Sequence, residues 1–114
     1  MRRISFGITI DQFEDGSKDV TRRLGWKFLK AGDRLQAVDR VMGFKKGEKA
    51  RKLGVIEVVD ARREPLCNIT EDDVIREGFP GKMPEWFVVM FSKAMKCHWA
   101  TPVTRIEFKR VATD

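Results

Sequence analysis

Residues 53–66 read LGVIEVVDARREPL, a run rich in Val and Ile that Pro65 closes. β-Branched side chains suit a pleated backbone, and proline cannot continue a central strand. The run therefore predicts one long strand, around which the rest of the chain has to be arranged. Three further segments alternate as half-buried strands do. In residues 3–9, Ile4, Phe6 and Ile8 alternate with Arg3, Ser5, Gly7 and Thr9. In residues 34–41, Leu35, Ala37 and Val41 stand against Gln36 and Arg40. In residues 103–111, Val103, Ile106, Phe108 and Val111 stand among Arg105, Glu107, Lys109 and Arg110, with one irregularity. Residues 20–24 read as a shorter extended piece, and Lys30-Ala31-Gly32-Asp33 as a turn.

Helix signals fall between these strands. Residues 10–14 can form one turn with Ile10 and Phe13 on one side, broken at Asp15-Gly16 because glycine accepts the angles that end a helix. Thr70 followed by Asp73 reads as an N-cap, with Glu71, Asp72 and Asp73 favourably placed at the helix N-terminus and Gly78 as its stop. Pro84 opens a second full helix, whose Trp86, Phe87, Met90, Phe91 and Met95 form an apolar face suited to the core. The predicted order is strand, short helix, strand, strand, long strand, helix, helix, strand. That is an α+β pattern: a small, mostly antiparallel sheet with two or three flanking helices. Such a sheet hides its edges by curling into a barrel.

A chain of 114 residues suits a single domain, residues 1–114. Charged residues make up 35%, but the two signs are interspersed and apolar runs recur, which argues against disorder. The net charge of +6, from 23 Lys+Arg against 17 Asp+Glu, is a modest surplus that favours polyanions as partners. Cys67 and Cys97 belong to no CxxC pair and His98 is the only histidine, too few ligands for a zinc site. The two cysteines read as reduced thiols, which points to the cytosol. No apolar run approaches the ~18–20 residues of a membrane span, and MRRISFGITI reads as a first strand rather than a signal peptide.

The chemistry concentrates in residues 15–26, DGSKDVTRRLGW, where Lys18, Thr21, Arg22 and Arg23 follow Gly16 within a few residues. The segment is either a solvated charged loop or a site for something polar and anionic. In a regular strand, Thr21 and Arg23 share a face, whereas residues three apart do not. Lys18 and Thr21 can therefore converge only if Lys18 precedes the strand, in a turn that Gly16 permits. Trp26 and Phe28 follow in GWKFLK, placed either to stack on a base or to plug the end of a small barrel. Trp99 is a candidate for the mouth of a pocket, and His98 reads as an exposed loop residue. Residues 43–52, GFKKGEKARK, form a charged connection: a solvated excursion, or a basic arm that touches phosphates.

The runs GSKDVTRR, KAGDRLQAV and ITEDDVIREGF, with the closing strand VTRIEFKRV, occur in an order that resembles the ASCH domain, a PUA-like β-barrel family associated with RNA and nucleotide chemistry. The resemblance spans nearly the whole chain. Some small bacterial members are amidohydrolases that remove the acyl group from N4-acetylcytidine with a Lys, a Thr three residues later and a distant Glu. Carried over, these match Lys18, Thr21 and Glu77, and the family's Arg matches Arg23. Asp19 departs from the small polar residue found there, and residues 43–52 and 92–100 look like additions.

What the resemblance implies is a cytoplasmic, bacterial or phage-encoded protein that recognises a cytidine-like nucleoside or single-stranded RNA and cleaves an N4-acyl amide, without metal or cofactor. Thr21 would be the nucleophile and Lys18 its base, since a Thr hydroxyl attacks only when a neighbour takes its proton. Glu77 would orient Lys18 or shuttle a proton, and Arg23 would meet an oxyanion or phosphate. Arg22, Trp26 and Phe28 would complete the substrate site. Arg22 and Arg23 favour a neutral Lys18 while Glu77 favours its charged form. The alternatives are an RNA-binding module without chemistry and an accessory domain that binds a protein.

Overall fold

In the computed structural model, which describes residues 1–112, the long Val/Ile-rich run is β4 (Lys52–Pro65), the centre of a five-stranded sheet. It is preceded by β1 (Arg3–Ser5), α1 (Ile10–Glu14), β2 (Val20–Arg23) and β3 (Arg34–Val38). A single 3-10 turn, Leu66–Asn68, leads to α2 (Glu71–Arg76), α3 (Pro84–Met95) and β5 (Pro102–Val111). The elements follow the order read from the sequence.

The strand order is β1-β3-β4-β5-β2. β4 pairs antiparallel with β3 and β5, and β5 pairs antiparallel with β2. β1 lies parallel to β3, with Ile4 opposite Ala37, so the sheet is mixed. An intervening helix and strand give the connection enough length to return in the same direction, which a tight hairpin cannot do. The register of β4 against β5 shifts between Val58 and Asp60, leaving Val59 unpaired and exposed. A bulge of this kind bends and twists its strand, and the β4–β5 pair that carries it serves two cores. Ile56, Val58, Ile106 and Phe108 join Ile4, Phe6, Phe13 and Leu35 inside the curl of the sheet. Val103 and Leu66, beyond the bulge, pack with Ile69, Val74, Phe87 and Phe91 of the helical side.

The sheet curls but does not close, so the expected barrel is a half-barrel that fits a PUA-like fold. β1 and β2, its two edges, share no backbone ladder. They are bridged instead by a side chain, Arg23, whose Nη2 donates to the Ser5 carbonyl at 2.6 Å.

Two strands are shorter than their alternation predicts. β1 stops at Ser5 because the chain turns there, with Thr9 N donating to the Phe6 carbonyl at 3.0 Å, and Ile8 stands in solvent. β3 ends at Val38, where the ladder with β4 is irregular, and leaves Val41 and Met42 exposed. Of residues 43–52, Lys52 already belongs to β4 and the rest form a solvated excursion, in which Glu48 accepts from Lys45 N and from Arg40 Nη2, each at 2.7 Å. Residues 92–100 begin with the last turn of α3, which ends at Lys96 in the left-handed conformation.

The α2 signals hold in detail. Thr70 Oγ1 accepts from Asp73 N at 3.1 Å, and Gly78 adopts φ +103° just past the C-cap Glu77. A Cβ at Gly78 would meet Gln12 Cβ at 2.9 Å. Gly78→Ala combines a left-handed backbone with this clash and is expected to cost about 1–3 kcal/mol. Urea unfolding measures it as a lower midpoint at an unchanged slope.

Candidate functional site

Lys18 precedes β2, as its convergence with Thr21 requires. Gly16 takes φ +83°, and the following backbone is tied down on three sides. Lys18 N donates to the Gln12 carbonyl at 3.1 Å, Asp19 N to the Arg76 carbonyl at 3.0 Å, and Phe108 N to the Asp19 carbonyl at 3.0 Å. This anchoring sends the Lys18 side chain inward. Lys18, Thr21, Arg22 and Glu77 are each no more than 5% exposed.

Glu77 ends α2, and its carboxylate is held by two cations. Lys18 Nζ donates to Glu77 Oε1 at 2.9 Å and to the Glu77 carbonyl at 2.7 Å. Arg22 Nη1 donates to Glu77 Oε2 at 3.2 Å. The other arm of Arg22, Nη2, reaches Asp73 Oδ2 at 2.6 Å and Glu64 Oε2 at 3.0 Å. Asp73 also receives both arms of Arg105, at 2.7 and 3.0 Å. A buried chain of charges thus runs from Arg105 through Asp73, Arg22 and Glu77 to Lys18. At the surface, Arg76 grips Asp19 with two bonds of 3.0 Å and Glu107 at 3.1 Å, pinning α2 from its other side.

The environment perturbs these groups in readable ways. Burial pushes the Lys18 pKa down; Glu77 opposes the shift, while the charges of Arg23 and Arg22 add to it. Burial also brings the Arg23 guanidinium down to about 10, against the pull of Glu77, so it stays charged near neutral pH. Burial alone would raise the Asp73 carboxyl, but hydrogen bonds from Arg105 and Arg22 hold it well below the usual carboxylate range. Arg23 Nε donates to Thr21 Oγ1 at 3.1 Å, so the hydroxyl oxygen already faces a cation.

Lys18, Thr21, Arg22, Arg23 and Glu77 line one cavity of about 400 Å³, within the range of small-ligand sites. It opens where the sheet fails to close, between the β1 and β2 edges and the face of α3 that carries Phe87, Met90 and Phe91. Of the carboxylates in and behind its lining, Glu64, Asp73 and Glu77 are engaged by guanidinium or ammonium groups, and Asp39 accepts from Arg51 N at 2.8 Å. Among the described residues, no group of three or more His, Cys, Asp and Glu is arranged to hold a metal ion.

Two solved structures share this architecture. Protein EF3133 from Enterococcus faecalis V583, of the family model DUF984, superposes with a TM-score of 0.72 at 13% identity, covering 97% of this chain and 76% of its own. An ASCH domain from Lactobacillus crispatus JV V101 superposes with a TM-score of 0.61 at 14% identity, covering 96% of this chain and 78% of its own. The fold is that of an ASCH domain. No family model matches the sequence, and no curated protein matches it.

Within this ASCH fold, Trp26 and Phe28 lie outside the cavity lining. The chain swings away after β2 through Trp26, which takes φ +61°. Trp26 then packs against the main core, and Phe28 is 52% exposed beneath the Arg2 guanidinium, 4.3 Å from its ring centre. Trp99 also stands apart, over a smaller hollow beside Cys67 and Val88. His98 Nδ1 accepts from Ala100 N in an exposed turn. Arg22 lines the cavity, but its terminal nitrogens are committed to carboxylates, which makes it a support for Glu77 rather than a free anion binder.

Sequence reasoning missed Glu64, Asp73 and Arg105 as members of the site. Asp73 reads as a helix-terminus carboxylate, and its backbone does serve the Thr70 cap. Its side chain is what secures Arg22 and Arg105, and only the meeting of α2, β2 and β5 reveals that. Asp73→Ala strips the buried Arg105 of its two-bond carboxylate and leaves Arg22 to Glu64 and Glu77 alone, and it is expected to cost about 3 kcal/mol, read by urea unfolding. The Asp73 contribution to wild-type stability is fully present above its unfolded pKa of 3.8 and is lost as pH falls toward its lower folded value. Stability measured between pH 5 and 2 should therefore decline less steeply in Asp73→Asn than in the wild type.

Proposed function

We propose that this ASCH-fold protein is an amidohydrolase that cleaves N4-acylcytidine to cytidine and a carboxylic acid. The observation that carries the reading is a buried lysine whose hydrogen-bond donors are directed at Glu77, lining the same cavity as a buried threonine hydroxyl. A neutral amine has two N–H donors and one lone pair. The Glu77 carboxylate and carbonyl take the two donors of Lys18, which leaves the lone pair as an acceptor.

In the first half-reaction, Lys18 Nζ takes the Thr21 hydroxyl proton as Oγ1 bonds to the acyl carbon. The carbonyl π pair moves to oxygen, and Arg23 stabilises that oxyanion. Arg23 also favours ionisation of Thr21 through its Nε contact at 3.1 Å. When the oxyanion collapses, the C–N4 bond breaks and Lys18 returns its proton to N4, releasing cytidine and leaving Thr21 acylated. In the second half, Lys18 takes a proton from water, whose oxygen attacks the ester. The C–Oγ1 bond breaks, Lys18 protonates the Thr21 oxygen, and the carboxylic acid leaves. Glu77 keeps Lys18 aimed throughout, while Arg22 and Asp73 keep Glu77 in place.

Incubation with N4-acetylcytidine, with cytidine read by chromatography, tests the proposal. Thr21→Val keeps the side-chain shape and removes the nucleophile; Lys18→Ala removes the base. Each is expected to lower kcat/KM by about 10³-fold or more. Absence of cytidine from correctly folded wild-type protein would end the proposal.

The pH profile provides a second check. The active form has neutral Lys18, and burial lowers its pKa beneath the ordinary 10.5. Activity should therefore rise with pH through an ionisation below that value and fall again as the Arg23 guanidinium, brought down to about 10, loses its charge. Arg23 is one of the charges that depress Lys18, so Arg23→Met should slow the reaction and also move the inflection to higher pH.

A further inference from the structure

The cavity extends past the reacting groups, and much of its remaining lining is apolar. Phe87, Phe91 and Ala94 recur at helical spacing on one face of α3 and, with Met90, form one wall. These side chains offer a ligand no strong donor or acceptor. The rim carries a second sign. Ile8, Val41 and Met42 also line the cavity and are 78%, 50% and 76% exposed. Large apolar side chains left in water around one opening mark surface that a ligand covers.

We infer that this α3 wall receives the acyl chain of the substrate, so that the protein prefers amides of apolar acyl groups longer than acetyl. The inference rests on the amidohydrolase reading above. With the amide carbonyl at Thr21, the nucleoside and the acyl chain extend from it in different directions. The nucleoside carries donors and acceptors that lose affinity when buried without partners. Ser5, Thr9, Asp39 and Arg40 supply polar atoms on the β1 and β3 side of the cavity; the α3 wall supplies none. The nucleoside therefore lies toward the polar side and the acyl chain along α3. An acetyl group places a single methyl on that wall and leaves the rest of it in contact with water. Each further methylene moved from water onto it is worth about three- to fourfold in binding.

A series of N4-acetyl-, N4-butyryl- and N4-hexanoylcytidine tests this. The expected result is kcat/KM rising along the series, by at least about tenfold from acetyl to hexanoyl. Ala94 is exposed before ligand binds, so Ala94→Glu places a charge on the wall without disturbing the core. It should bring the hexanoyl-to-acetyl ratio close to one. A wild-type preference for acetyl, or a ratio unchanged in Ala94→Glu, overturns the inference while leaving the hydrolase reading intact. If no member of the series is hydrolysed, the hydrolase reading fails and calorimetry with the same compounds decides the inference. Tighter binding of the hexanoyl compound that is lost in Ala94→Glu supports the apolar wall; equal or undetectable binding of the acetyl and hexanoyl compounds overturns it.

Discussion

A lysine buried beside two arginines stays in place only if carboxylates are brought to it, and the architecture around the cavity meets that demand. Glu77 receives Lys18 and Arg22, while Asp73 receives Arg22 and Arg105. Removing charges from water costs several kcal/mol for each ion, and good geometry with satisfied donors has to offset it. One donor is left over: Arg22 Nε is buried without a partner among the described residues. The network is therefore a costly way to gain stability. What it achieves is position, because α2 can dock on β2 and β5 only in the register that completes these pairs.

That register places a reactive constellation at the seam of an unclosed sheet. Had β1 and β2 zipped together, the space beside Thr21 would be filled by backbone pairing. Three- and four-residue edge strands leave the seam open, and Arg23 spans it to the Ser5 carbonyl. One guanidinium thereby joins the sheet edges and also faces the Thr21 hydroxyl. The bulge at Val59 twists β4, and at the far end of the β4–β5 pair Leu66 and Val103 pack with the helical layer that walls the cavity. Fold and site are coupled through geometry that no single element contains.

The elements themselves were legible because their signals are local. Val and Ile enrichment marked β4, the Thr70 cap and Gly78 marked α2, and Pro84 marked α3. Strand ends were less legible, because alternation continues through Ile8 and Val41 after the backbone has turned; an apolar side chain at a cavity rim looks in sequence like one in a core. The same ambiguity ran through α3, where Phe87 belongs both to the second core and to the cavity wall. For the site, the spacing of Lys18, Thr21 and Arg23 after Gly16 pointed to a shared pocket, and the family resemblance brought in Glu77. Trp26 and Phe28, adjacent to that motif along the chain, were carried away from it by a backbone turn that residue type did not announce.

By itself, then, the sequence determined which segments are strands and helices, where they are capped, and which short turn concentrates reactive groups, since capping, alternation and backbone freedom act within a few residues. Tertiary structure alone decided that β1 runs parallel to β3, that the sheet stops short of closure, and that Asp73 and Arg105 support a lysine distant from them in the chain. Those outcomes depend on pairings between residues tens of positions apart. Burial of the charges they bring together is a property of the assembled molecule, and it is this burial that lowers the Lys18 pKa.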